Sequence, residues 1–236
     1  MLELPAYIPV VFIATTLCTL VLFYKATKYS KIGLLLLIGW LGFQGILAYQ
    51  GFYMDTEAIP PRVLLAFLPT LVLIIGMFAF PVGQVWLKQL DLKTLTLLHT
   101  VRVPVEFVLY WLYLYKGVPE LMTFAGRNFD ILAGITAPII YYFAFVRKTL
   151  SKKMLLLWNV ICLGLLLNIV INALLSAPIP IQVFAFDQPN IAVFYFPYIW
   201  LPSVVVPIVL FAHLVAINRL LKIDIMDLQE VKPQLG

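Results

Sequence analysis

The chain has 236 residues, of which 63% are hydrophobic and 11% charged, and its mean hydropathy is +1.02. Water-soluble domains carry about 25% charged residues, so this composition excludes a globular domain that faces water on all sides. The net charge of +5 lies in short basic clusters between apolar runs. That is a membrane-topology pattern, whereas a nucleic-acid partner would need a continuous basic face on a soluble fold.

Seven apolar stretches are long enough to cross a hydrocarbon core about 30 Å thick as helices. They cover residues 4–24, 32–49, 63–82, 94–115, 130–146, 154–175 and 191–217. Their length and continuity favour helices over membrane strands, which alternate in short segments. The first stretch lacks the positive flank and cleavage pattern of a signal peptide. Cys18 and Cys162 sit inside apolar runs with no metal-ligand spacing and read as small hydrophobes.

Basic residues follow every second stretch. Lys25, Lys28 and Lys31 follow the first, Lys88 and Lys93 the third, and Arg147, Lys148, Lys152 and Lys153 the fifth. Arg219, Lys222 and Lys232 follow the seventh, while the opposite face has only Arg62, Lys116 and Arg127. Positive loops stay in the cytoplasm. The expected fold is therefore an all-α integral membrane protein, a seven-transmembrane-helix bundle over residues 1–222. Its N-terminus lies outside and its C-terminus is cytoplasmic, with residues 223–236 a short tail. With no targeting signal in the sequence, the expected location is a bacterial inner membrane.

The fourth stretch carries the clearest polar signal. In Leu-His-Thr-Val-Arg-Val-Pro-Val-Glu, residues 98–106, His99, Arg102 and Glu106 fall within roughly 60° of one helix face. Tyr110 and Tyr113 continue that stripe, and Val101, Val105, Val108 and Leu112 lie opposite and suit lipid or packing. Charge inside a bilayer is costly and asks for a reason. Arg102 and Glu106 are four apart and are expected to pair along the helix. Pro104 removes a backbone donor and frees the carbonyl of Thr100 beside His99.

His213, in the seventh stretch, lies six residues before Arg219, and His99 lies six after Lys93. At 1.5 Å per residue both sit roughly 9 Å inside the cytoplasmic boundary. Two histidines at one depth fit a proton relay, or haem b held by His99 and His213 as axial ligands. Asn168 and Asn172 share a face of the sixth stretch, where amides join membrane helices. Arg127, Asn128 and Asp130, with Gln182, Asp187, Gln188 and Asn190, are expected to form an outer polar vestibule. Residues 176–194 are apolar for a loop and either cover the outer mouth or rest on headgroups. Pro197, Pro202 and Pro207 are expected to kink the seventh helix.

The sequence has no nucleophile elbow, P-loop, HExxH or second deep carboxylate, so no reaction is assigned. The leading expectation is a bundle that binds, senses or moves a small ligand, proton or ion. The inner site would be His99, Arg102 and Glu106, with Tyr110, Asn168, Asn172 and His213. A haem b redox protein is the second reading, and an accessory subunit that binds a membrane-protein partner or a second copy is the third. All three place the chain in a lipid bilayer.

Overall fold

A computed structural model describes residues 4–230, with side chains through Lys222. The described residues are all-helical, with no strand among them. In chain order the α-helices are α1 (Tyr7–Ala26), α2 (Lys31–Tyr49), α3 (Leu64–Ala79), α4 (Pro81–Gln89), α5 (Leu92–Leu98), α6 (Arg102–Leu114), α7 (Ile131–Tyr141), α8 (Lys152–Leu175) and α9 (Val206–Glu230). Among the described residues, five segments are long and apolar enough to cross a membrane: Tyr7–Ala26, Lys31–Tyr49, Leu92–Leu114, Lys152–Leu175 and Leu201–Lys222. A sixth is counted if α3 and α4, bent by 91°, form one span.

Local chemistry explains where the helices begin and break. Ser30, Asp91 and Ser151 cap α2, α5 and α8 by accepting from the backbone N–H of Gly33, Thr94 and Met154. The third apolar stretch does not run straight to residue 82. Pro81 disfavours a helical conformation at Phe80, which is extended, and the chain turns sharply there. The turn is tight enough to require glycine, since a Cβ on Gly83 would lie 2.3 Å from the Met77 carbonyl oxygen. The seventh stretch starts its helix at Leu201 with a π turn, ten residues later than expected, and α9 runs on to Glu230. Pro197 lies ahead of that helix and so does not kink it. The backbone at Ile191 and Ala192 finds its partner in another loop, both N–H groups donating to the Gly117 carbonyl at 3.1 and 2.8 Å.

Prolines also join the helices. Pro69 and Pro207 cannot donate to the carbonyls four residues back, Leu65 and Ser203. Side chains of α2 take both. Gln44 Nε2 donates to Leu65 O at 3.3 Å, and Trp40 Nε1 donates to Ser203 O at 3.0 Å. Trp200 Nε1 returns a bond to Leu41 O at 2.9 Å, and the Tyr53 hydroxyl donates to Gln44 Oε1. The otherwise exposed α2, with Leu35, Leu36, Phe43 and Ile46 facing outward, is held by these bonds to α3 and to the turn that leads into α9.

The Leu92–Leu114 and Leu201–Lys222 segments are the most enclosed and form the centre of the bundle. At one end Asp91 N donates to Ala26 O and Arg219 Nη1 to Leu90 O, so the basic ends of α1, α5 and α9 meet. At the other end Gln188 Nε2 donates to Tyr113 O and Val118 O, at 3.0 and 2.7 Å. The segment 176–194 thus folds onto the bundle, with Asn190, Ala192 and Phe194 buried, and does not simply rest at its edge.

Residues Ile131–Val146 form eleven α residues followed by five in a π turn. This run is too short to cross a 30 Å core alone. The connection before it turns inward instead, burying Val118, Met122, Thr123, Asn128 and Asp130 against α6 and α8. This inward connection positions the site.

Candidate functional site

Arg102 is the hub. It opens α6, directly after a 3₁₀ turn at His99–Val101 that lies ahead of Pro104. Arg102 is only 3% exposed, and each of its three guanidinium nitrogens is engaged. Nε and Nη2 form a two-point ion pair with Asp130 at the head of α7. Nη1 lies 3.0 Å from His213 Nε2 on α9, and Nη2 donates to the Cys162 carbonyl of α8 at 3.2 Å. The expected Arg102–Glu106 pair does not form. The planar guanidinium matches a carboxylate face-on at two points, and the inward connection delivers Asp130 in that geometry. The approach of α7 depends on Gly134, where a Cβ would lie 2.8 Å from the backbone N of Val103.

His99 and His213 meet, which puts the fourth and seventh apolar stretches in contact. Their rings stack with centroids 3.8 Å apart and planes 15° from parallel. Asn159 on α8 fixes the orientation of His213. Asn159 Nδ2 donates to Leu155 O at 2.9 Å, which turns its Oδ1 toward His213 Nδ1 at 3.0 Å. That ring nitrogen must donate, so Nε2 is left to accept from Arg102. Trp158 stands edge-on to His99 at 5.6 Å and donates its indole N–H to Thr136 Oγ1 at 2.9 Å. Buried within this group, His99 Nδ1 and Thr100 Oγ1 make no hydrogen bond.

This arrangement does not fit the haem reading. Axial histidines approach one iron from opposite faces of a macrocycle. Two rings stacked face to face leave no plane between them for it, and both nitrogens of His213 already face protein groups. No set of three or more His, Cys, Asp or Glu among the described residues is arranged around a metal position.

Glu106, 1% exposed, lies one helical turn beyond Arg102. Both its carboxylate oxygens are 2.7 Å from Asn128 Nδ2, which also donates to Met122 O at 3.0 Å. Asn128 Oδ1 accepts from Asp130 N at 2.9 Å. A run of direct contacts therefore leads from Glu106 through Asn128, Asp130, Arg102 and His213 to Asn159. In it the fixed charges of Arg102 and Asp130 cancel each other, and Glu106 is held by a neutral amide.

The expected outer vestibule divides. Asn128 and Asp130 belong to this core network. Arg127 is exposed, its guanidinium 6.0 Å from the Phe184 ring, and its carbonyl accepts from Asn168 Nδ2 at 2.9 Å. Asn172 Nδ2 reaches Asn168 Oδ1 at 3.2 Å, so this pair ties α8 to the connection. Gln182 bonds within its own loop to Phe184 O, Asp187 is exposed, and Asn190 is buried beside an apolar cavity. Tyr110 stacks on Phe124 at 4.9 Å. Val101, Val105, Val108 and Leu112, opposite the polar stripe, are buried in packing contacts.

Asn159 is an unexpected member of the site. Its signal was present: it lies six residues after Lys153, the same spacing that places His99 after Lys93.

Several long apolar helices around a buried charged core fit a helical membrane protein. The chain belongs to the family described as a domain of unknown function (DUF8737), which matches residues 59–221. That stretch contains every member of the network, from His99 to His213. No curated protein and no solved structure matches the chain.

Proposed function

We propose that this is a seven-span membrane protein that moves protons, with Glu106 as the group that takes them up and releases them. The carrying observation is that Glu106 is buried yet makes its hydrogen bonds to neutral Asn128, while the nearby cation is engaged by Asp130. Such a carboxyl can gain or lose a proton without breaking an ion pair. The histidine pair continues the run toward the basic end of the bundle, and imidazole both accepts and donates protons. Each of these groups is at most 4% exposed. Groups so enclosed exchange a proton along hydrogen bonds more readily than they admit a solute.

In this reading α3 with its bent partner α4, and α7 with its π turn and inward connection, count as the two irregular spans. In the same reading the alternating basic loops face the cytoplasm, with the N-terminus outside and the C-terminus inside, and the membrane is a bacterial inner membrane.

The test is proton flux into liposomes containing the purified protein and a trapped pH dye. The wild-type protein is expected to dissipate an imposed pH gradient, and Glu106→Gln to lose that activity while keeping its melting temperature. Asp187→Asn, in an exposed loop, should behave as wild type. Full flux in the Glu106→Gln protein, or no flux above empty liposomes in the wild type, contradicts the proposal.

A further inference from the structure

Arg127 is exposed, yet its backbone lies well inside the end of the bundle. Helix α8 has 24 residues and is about 36 Å long, enough to cross a hydrocarbon core about 30 Å thick. Lys152 and Lys153 mark one of its ends and Leu175 the other. Asn168 stands seven residues before Leu175, about 10 Å inward from that end. The Asn168 side chain donates to Arg127 O at 2.9 Å, which fixes the Arg127 backbone at that depth. The guanidinium reaches back toward the end of α8. It lies 6.0 Å from the ring of Phe184, whose backbone N–H donates to Leu175 O at 2.9 Å. Long cationic side chains take this course to bring their charge out of hydrocarbon.

The surroundings are apolar. Phe129, beside Arg127 in the connection, and Val183 and Phe186, beside Phe184 in the loop, are 53, 56 and 71% exposed. Among the described residues no carboxylate is in ion-pair contact with the Arg127 guanidinium, and Asp55 and Asp130 are paired with Arg62 and Arg102. Asn168, also exposed, gives one amide N–H to Arg127 O and accepts from Asn172 at Oδ1, which leaves it a second N–H.

We propose that Arg127 holds the phosphate of a phospholipid headgroup, with the second amide N–H of Asn168 as a further donor. A guanidinium matches a phosphate at two points, and the bilayer supplies that anion at this edge. The neighbouring run Ile131–Val146 is only about 24 Å long. A bilayer thins beside a short span, which brings the headgroup down to the arginine. The acyl chains then lie along the outer face of α7, where Leu132, Ile135 and Ile139 are exposed. Such a face suits a lipid and not free phosphate. The inference rests on α8 crossing the membrane and is independent of proton movement through Glu106.

The test is solid-state NMR of the full chain with nitrogen-15 arginine, in fluid vesicles of dioleoylphosphatidylglycerol free of inorganic phosphate. The chain has five arginines, and Arg127→Lys identifies the Arg127 signal by its loss. Phosphorus-31 dephases a nitrogen signal only where a phosphate is held close, because contacts with freely diffusing lipid average away. Arg127 is expected to be strongly dephased, and Arg102, buried against Asp130, not at all. Phospholipid phosphorus that stays with the detergent-purified chain is expected to fall in Arg127→Gln and to persist in Arg127→Lys, since lysine also binds phosphate as a point charge. Dephasing at Arg127 no greater than at Arg102, or retained phospholipid unchanged in Arg127→Gln, overturns the proposal.

Discussion

Arg102 and Asp130 are 28 positions apart, yet they form a two-point ion pair at the centre of the bundle. The pair joins the first turn of α6 to the first residues of α7, and it exists because the connection between them turns inward. Everything else in the polar core is arranged around it, with His213 and the Cys162 carbonyl on one side and Glu106 on the other.

Removing one partner of a buried pair leaves the other charge uncompensated, which costs about 3–5 kcal/mol. Asp130→Leu and Arg102→Met are each expected to lower thermal stability sharply in detergent. The double variant Arg102→Met with Asp130→Leu is expected to recover much of the loss, because both charges are then absent. Melting curves of the four proteins check this, and losses that simply add would refute the pairing.

The tight seat of α7 on α6 gives a second expectation. Gly134→Val places carbon atoms against the Val103 backbone, and such overpacking costs about 1–3 kcal/mol. Gly164 on α8 has open space around it, with nothing within 4 Å of a Cβ. Gly164→Ala is expected to be neutral or slightly stabilising, by at most about 1 kcal/mol. The contrast between the two glycines, read as a difference in Tm, is the check.

The proline-freed carbonyls make a third case. Gln44→Leu deprives Leu65 O of its donor and should cost about 1 kcal/mol. Adding Pro69→Ala restores a backbone N–H at the right place and should return part of that loss. A double-mutant cycle measures the coupling directly. The same logic applies to Trp40→Phe with Pro207→Ala.

Nitrogen-15 spectra of labelled histidine test the hydrogen-bond chain itself. His213 is expected to hold its ring proton on Nδ1, facing Asn159, with Nε2 accepting from Arg102. Asn159→Leu should remove that preference. A ring proton found on Nε2 in the wild type would show that the chain runs differently.

Much of this protein was legible from its residues. Helix periodicity alone put His99, Arg102 and Glu106 on one side of one helix, and loop charges matched His99 with His213 in depth. Both histidines do meet. What periodicity cannot convey is how a connection folds. Residues 116–130 contain charged and polar side chains and lie between two apolar stretches, so Asp130 and Asn128 are expected in an outer polar vestibule, and Arg102 is expected to pair with its nearest carboxylate in sequence, Glu106. Asn159 was hidden for a different reason, as one amide in an otherwise apolar helix. Pro197 reads as part of a helix because the run around it is apolar, although that run begins with Ile191 and Ala192 bonded to the Gly117 carbonyl of a distant loop.

The most direct test of the central claim is the infrared carboxyl signal of Glu106, followed with pH in H₂O and D₂O and assigned by difference against Glu106→Gln. A proton-exchanging Glu106 predicts a carboxylic acid C=O band that rises and falls with pH, shifts in D₂O, is missing in Glu106→Gln and moves in Asn128→Leu. A Glu106 signal that stays unchanged over the whole pH range in which the protein remains folded would contradict proton exchange at this site.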